Sequence, residues 1–300
     1  MCYNKFMEQK AYAKINLILN VLGTRPDGYH EVEMLMQAID LYDTVTVTTA
    51  GEPDCILGPQ DLEYGQSDLA YKAALLMAER FKPDVITQAL SEDGTELAAG
   101  IRGLHISIEK RIPAAAGLAG GSADAAAVMV LLGKLWLSEL DTEELLKTLL
   151  PLGAQLGSDV PFCIASQLGH PAAIAKGRGT ELEFVKAADF AVDLYFSGVS
   201  IPNKTRAVYA ELNEKDCEKR FSIEAFLNAP TIEEKRRFMG NHLQAPAERI
   251  IRRLCKAGKE DLKSCADAAN GKPYGADAIL CGAGPTFFTI SNNGKYRSIL

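Results

Sequence analysis

Pro113-Ala114-Ala115-Ala116-Gly117-Leu118-Ala119-Gly120-Gly121-Ser122 is the stretch with the clearest chemistry in it. Small side chains let a backbone come close to a bulky ligand. Where such a loop opens a helix, free N–H groups and the positive end of the helix dipole point outward. Together these make an anion site, and phosphate is its commonest biological occupant. The plainer alternative is a tight strand-to-helix connection. The loop has neither the G-K-[ST] ending of a Walker A loop nor a G-x-G-x-x-G fingerprint. It predicts a protein that handles a nucleotide or a phosphorylated metabolite.

Other chemistry-bearing residues lie apart in the sequence. Lys14, Asn16 and Asn20 share one face of a strand, so that face is either wet or lines a site. Tyr29 and His30 follow the turn residues Pro26-Asp27-Gly28 and read as packing residues more readily than as ligands. Asp159, before Val160-Pro161, reads as a turn or cap residue. Gly282-Ala283-Gly284-Pro285 forms a second tight glycine turn near the C-terminus.

The elements around these residues can be drawn from periodicity. Ile15, Leu17, Leu19 and Val21 have one parity within a strand over 13–22. Residues 43–49 alternate as a half-exposed strand, and Leu104, Ile106 and Ile108 alternate in a strand leading to the glycine loop. Ser67-Asp68 caps a helix running to about Phe81. The helix from Ser122 to Leu137 is apolar nearly all round and must be buried. Another runs from Thr142 to Leu150, with Glu143 and Glu144 in its first turn and Pro151 and Gly153 as its stop. A Gly/Pro-spotted segment extends to Gly179. A strand over 190–196 and helices over 222–227, 232–239 and 247–256 follow. Residues 278–290 read as strand, glycine turn, strand. Strands interleaved with helices give an α+β fold class, divided into domains 1–165 and 166–300.

Composition narrows the function further. The 300 residues carry a net charge of −7, which argues against a broad nucleic-acid or membrane-surface face. An anionic ligand therefore needs a local site of backbone amides and a few cations. No apolar run is long enough for a transmembrane helix, and no signal-peptide core stands at the N-terminus. The seven cysteines, Cys2, Cys55, Cys163, Cys217, Cys255, Cys265 and Cys281, form no C-x-x-C pair. Reduced thiols in a cytoplasmic protein are the expectation.

Taken together, these segments resemble the GHMP kinases, in order and over essentially the whole chain. Lys14-Ile15-Asn16-Leu17 matches the family's K-x-N-L motif, Pro113–Ser122 its P-x-x-x-G-L-x-G-G/S-S motif, and Cys281–Pro285 its C-terminal glycine turn. The unbroken run KINLILNVLGTRPDGYH, with LGSDVPF at 156–162 and KGRG at 176–179, resembles the branch acting on a cytidine diphosphate-linked methylerythritol. The resemblance implies two α+β domains, the first like ribosomal protein S5 and the second ferredoxin-like. It implies γ-phosphoryl transfer from ATP, with Mg2+, to a hydroxyl of that small molecule, by a monomer or homodimer.

Under the resemblance, Lys14 and Asp159 are catalytic, and Asn16 bonds the substrate or holds Lys14. Tyr29, His30 and Tyr209 recognise cytosine, which lies between two rings. The loop Pro113–Ser122 cradles the triphosphate, and Gly282 and Gly284 allow close backbone approach. No carboxylate is singled out as the metal ligand. Ala123 and Ala283 stand where the family usually carries Ser or Thr, so phosphate contacts rest more on backbone N–H groups. A familiar N-x-L-E segment reads Asn241-His242-Leu243-Gln244.

Overall fold

Alternating aliphatic and polar residues draw the N-terminal region into two long strands, β1 (Phe6–Thr24) and β2 (His30–Thr49). The computed structural model describes residues 6–49, 56–57, 68–87, 100–256 and 277–300. Ser67 and the cysteines at 2, 55 and 265 lie outside them. The contacts gather into two units that interleave along the chain. One comprises Met1–Tyr12, Tyr42–Ile112 and Gly120–His170, the other Ala13–Leu41, Pro113–Ala119 and Pro171–Leu300.

In the first unit, strands β3 (Ile56–Leu57), β4 (Ile86–Thr87) and β5 (Gly100–Arg102) form a small antiparallel sheet with β5 in the middle. Strand β6 (Leu104–Glu109) runs antiparallel to the end of β2, from Thr44 opposite Glu109 to Thr49 opposite Leu104. Four α-helices of this unit lie among the described residues. Helix α1 (Leu69–Phe81) is capped by the Asp68 carboxylate, which accepts the Ala70 N–H at 2.7 Å. Helix α2 (Gly120–Trp136) is buried from Ala123 to Gly133, as its all-round apolar sequence requires. Helices α3 (Thr142–Leu156) and α4 (Val160–Gln167) pack on it and on each other.

The expected stop at Pro151 is overridden: α3 continues for another turn and a half, with Pro151 inside it. A proline there forfeits a backbone hydrogen bond and crowds the preceding turn. Packing offsets this cost, because Leu145, Leu146, Leu149 and Gly153 are all buried. Gly153 serves as a contact rather than a terminator: a Cβ there would lie 2.6 Å from Ile164 Cδ1 of α4. The segment up to Gly179, read only as Gly/Pro-spotted, holds α4 and one strand, and a second strand follows directly.

Those strands, β7 (Ala172–Lys176) and β8 (Glu181–Phe184), belong to the second unit. β7 pairs antiparallel with the first half of β2, from Met34 opposite Ala175 to Gln37 opposite Ala172. A second sheet contains β9 (Ala191–Phe196). Next along the chain come α5 (Lys204–Ala210), α6 (Ile223–Asn228) and α7 (Ile232–Phe238). The two-residue strand β10 (Gly240–Asn241) pairs parallel with β1, Ile18 opposite Gly240 and Leu19 opposite Asn241. Helix α8 (Gln244–Lys256) follows. Strands β11 (Ile279–Leu280), β12 (Thr286–Ser291) and β13 (Tyr296–Arg297) join β9 in the order β11-β12-β9-β13. The chain has the α+β character its sequence implied. Among the described residues no helix is long and apolar enough to cross a membrane.

Candidate functional site

The polar face of β1 is sealed, not wet. Lys14 is 3% exposed, and Asn16 and Asn20 are fully buried. Burying an ammonium group demands hydrogen-bond partners. The Lys14 ammonium donates to Asn16 Oδ1 at 2.7 Å, and the Asn16 amide donates to Met34 Sδ at 3.3 Å. The Lys14 backbone N–H donates to the Leu118 carbonyl at 3.1 Å, which ties the glycine loop to the strand. Asn16 therefore orients Lys14. Asn20 instead exchanges two hydrogen bonds with the Phe221 backbone.

The two glycine motifs meet. Gly117 has φ +85°, and a Cβ there would lie 2.3 Å from the Cys281 carbonyl oxygen and 2.8 Å from that of Gly284. Gly282 has φ +54°, and a Cβ there would lie 3.1 Å from the Gly117 oxygen and 3.7 Å from both Lys14 Nζ and Asn16 Oδ1. Only glycine satisfies both the left-handed backbone and the close approach at Gly117. Within this unit the fold brings Lys14, Asn16, Gly117 and Gly282 together from three separate parts of the sequence. Lys204, at the start of α5, donates to the Ala115 carbonyl at 2.7 Å and adds a second cation to the loop. Burial pushes the Cys281 thiol up to about 12, against the opposing pull of Lys14 and Lys204.

Further along the loop, Gly120 opens α2, with Gly121 exposed and Ser122 half-buried. Ala115 and Ala119 join Gly117 in positive φ, so left-handed backbone recurs at alternate positions of the loop. Lys110 stands beside Gly120: a Cβ there would lie 3.6 Å from Lys110 Nζ. The Lys110 ammonium donates to Asp43 Oδ2 at 2.6 Å and to Asp124 Oδ2 at 2.5 Å. Asp43 Oδ1 accepts the backbone N–H groups of Arg111 and Ile112. Burial raises the Asp124 carboxyl to about 7 even though Lys110 pulls the other way, and its Oδ1 is buried with no hydrogen-bond partner. Sequence reasoning passed over this network. Its one available signal was an aspartate inside an otherwise apolar helix.

Asp159 caps α4 by position, but its side chain makes no cap hydrogen bond, and it is half-buried. Its carbonyl accepts the Cys163 N–H at 3.1 Å.

The turn between β1 and β2 is built by Arg25, whose N–H donates to the Tyr29 carbonyl at 2.7 Å, and by Asp27 Oδ1, which accepts the Tyr29 N–H at 3.1 Å. It leaves Tyr29 51% exposed, with the Arg178 guanidinium 5.4 Å from its ring centroid. His30 stacks on Tyr209, with centroids 4.5 Å apart and planes 27° apart. His30 thus faces Tyr209, and Tyr29 faces Arg178. Among the described residues no cluster of three or more His, Cys, Asp or Glu forms a metal site.

Residues 68–167 match the GHMP kinases N terminal domain. A 4-diphosphocytidyl-2-C-methyl-D-erythritol kinase from Alkaliphilus metalliredigens (strain QYMF) is 36% identical, covering 98% of this chain and 91% of the relative. One from Clostridioides difficile (strain 630) is 32% identical over 96% of this chain and 88% of the relative. A crystal structure of 4-(cytidine 5'-diphospho)-2C-methyl-D-erythritol kinase superposes with a TM-score of 0.68 at 31% identity, covering 96% of this chain and 91% of that one. Similarity at this level, running almost end to end through the residues just described, means that the chain belongs to the 4-diphosphocytidyl-2-C-methyl-D-erythritol kinase family of the GHMP kinases.

Proposed function

We infer that this chain transfers the γ-phosphoryl group of ATP to the 2-hydroxyl of 4-diphosphocytidyl-2-C-methyl-D-erythritol, a step of non-mevalonate isoprenoid precursor synthesis. The observation that carries the reading is the junction of Lys14, Asn16, Gly117 and Gly282, which joins a buried cation to a glycine-built phosphate cradle. The acceptor oxygen forms a bond to the γ-phosphorus, and the bond from that phosphorus to the β,γ-bridging oxygen breaks to release ADP. The hydroxyl proton goes to the Asp159 carboxylate. Lys14, held by Asn16, balances charge at the reacting oxygens, and backbone N–H groups of the loop through Ser122 hold the phosphates. Such positioning and charge stabilisation make up most of phosphoryl-transfer catalysis. Mg2+ entering with the triphosphate would supply further charge neutralisation. Tyr29, His30 and Tyr209 are proposed to receive the cytosine, Tyr29 by stacking and His30 by an edge hydrogen bond. That same base recognition disfavours a mevalonate- or homoserine-type substrate. The cytoplasm, where ATP is held, is the proposed site of action.

The test is coupled ADP release with the cytidylylated substrate, with mevalonate as the control acceptor. Wild type should turn over only the former. Asp159→Ala should lose roughly 100- to 10,000-fold in kcat, the range for a missing general base. Equal rates in the two proteins would remove Asp159 from its role. Ligand binding without ADP release in the wild type would instead favour a non-catalytic member of the fold.

A further inference from the structure

We propose that Asn241 is a positioning residue for phosphoryl transfer, its amide holding the 281–285 turn in the conformation that seats Gly117 and Lys14. The proposal rests on the catalytic reading of Lys14. Asn241 lies in β10 and is 5% exposed. Its Nδ2 group has two N–H donors, and both are used: one to the Leu280 carbonyl and one to the Gly282 carbonyl, each at 2.8 Å. Its Oδ1 accepts the Leu243 N–H at 2.9 Å, which fixes the amide plane from the other side.

Between those two carbonyls the Cys281 carbonyl takes a different partner, the Gly284 N–H at 2.7 Å, and this oxygen is the one pressed against Gly117. The three successive peptide oxygens of the turn are therefore committed, the outer two by one side chain. Rotating either outer peptide would move the Cys281 oxygen off Gly117 and shift Gly282 from its place beside Lys14 Nζ and Asn16 Oδ1. The neighbouring residues tie the same segment to β1. His242 Nδ1 accepts the Val21 N–H at 2.9 Å, and its Nε2 lies 2.8 Å from the Lys219 carbonyl. With Nδ1 accepting, Nε2 is the nitrogen that donates to that carbonyl. Gln244 holds only the β11 side, accepting the Leu280 N–H at 3.2 Å and donating to the Ala278 carbonyl at 3.4 Å.

An amide is the chemistry this position needs. Aspartate keeps the acceptor for Leu243 but turns a second oxygen toward two carbonyls, and a donor lost from buried carbonyls leaves them unsatisfied. Asn241→Asp should lower kcat on the order of 100-fold, the scale expected when a reacting group is misplaced by about 1 Å. The substrate KM should stay within about threefold of wild type, because Tyr29 and His30 are untouched. Gln244→Ala, which spares the Gly282 bond, should keep kcat near wild type. Purely structural damage would lower both variants alike.

Maleimide labelling of Cys281, read by peptide mass mapping in the folded proteins, is the second measurement. It should be faster in Asn241→Asp than in wild type, and it needs no turnover. An inactive wild type would thus sink the kinase reading while labelling still reports on the clamp. If Asn241→Asp fails to fold, Asn241→Ser replaces it in both measurements. Wild-type kcat in the variant, a KM rise with kcat unchanged, or unaltered Cys281 labelling would each overturn the proposal.

Discussion

Lys14 reads in one dimension as a charge on an alternating strand, and that pattern alone allows solvent or a site. Its burial beside Asn16 selects the site, since a dry ammonium without acceptors would cost several kcal/mol. The motif spacing K-x-N has a direct physical basis, because residues two apart share one strand face. Tyr29 is the opposite case. It is exposed, and its backbone is pinned by Asp27, so its ring is placed with little supporting packing. Tyr29→Ala should therefore change binding and leave the chemical step alone. Loss of a stacking partner worth about 1–1.5 kcal/mol corresponds to a roughly tenfold rise in KM for the cytidylylated substrate, with kcat held. Steady-state kinetics at saturating ATP check this, and an unchanged KM would remove Tyr29 from base recognition.

At the level of elements, the Pro113–Ser122 loop and the 281–285 turn were each recognisable from glycine spacing. Their contact was not, since no pairing rule links two loops so far apart in sequence. Gly117→Ala tests the contact. The substitution combines a left-handed φ, costing about 1–2 kcal/mol, with a backbone oxygen 2.3 Å from the new Cβ. The melting temperature should fall by roughly 5 °C or more, and ADP release should be largely lost. Gly121→Ala, whose Cβ would meet only Leu69 Cδ1 at 3.9 Å, should leave the melting temperature unchanged. Differential scanning calorimetry of the two variants decides, and equal melting temperatures would refute the packed junction. Helix α3 carries a related lesson. Pro151 is a strong local stop, yet burial of Leu149 and Gly153 against neighbouring helices outweighs it. Such tertiary override is invisible to a reading of nearest neighbours.

For the molecule as a whole, the net charge of −7 sets an anionic background in which an anion site must be built locally. Within the second unit, Lys14 and Lys204, each held by named acceptors beside a glycine segment, are proposed as those local cations. The buried Lys110 network also gives global stability a pH dependence. Asp124 titrates at about 7 in the folded chain against an ordinary 3.8. Between these values the folded state keeps a proton that the unfolded state has released, so stability falls as pH rises through that window. Lys110 is held above its ordinary value and stays charged throughout it. The melting temperature of wild type should therefore drop relative to that of Asp124→Asn between pH 5 and about 7.5. A gap constant across that range would refute the burial of an ionising Asp124. Sequence alone determined the α+β class, the strand stretches 13–22 and 43–49 inside the two longer N-terminal strands, the buried helix after the glycine loop and which residues are candidates for kinase chemistry. Periodicity, turn propensity and motif spacing act over a few residues, and all of these are local consequences of them. Only the tertiary structure decided that Lys14 is buried, that Gly117 seats on Cys281, that α3 runs through Pro151, and that Asn241 and the Lys110 network stand behind the two glycine segments. Each of those depends on which distant backbone atoms come within a few ångströms, and hydrogen-bond partners and excluded volume at that range exist only once the chain has packed.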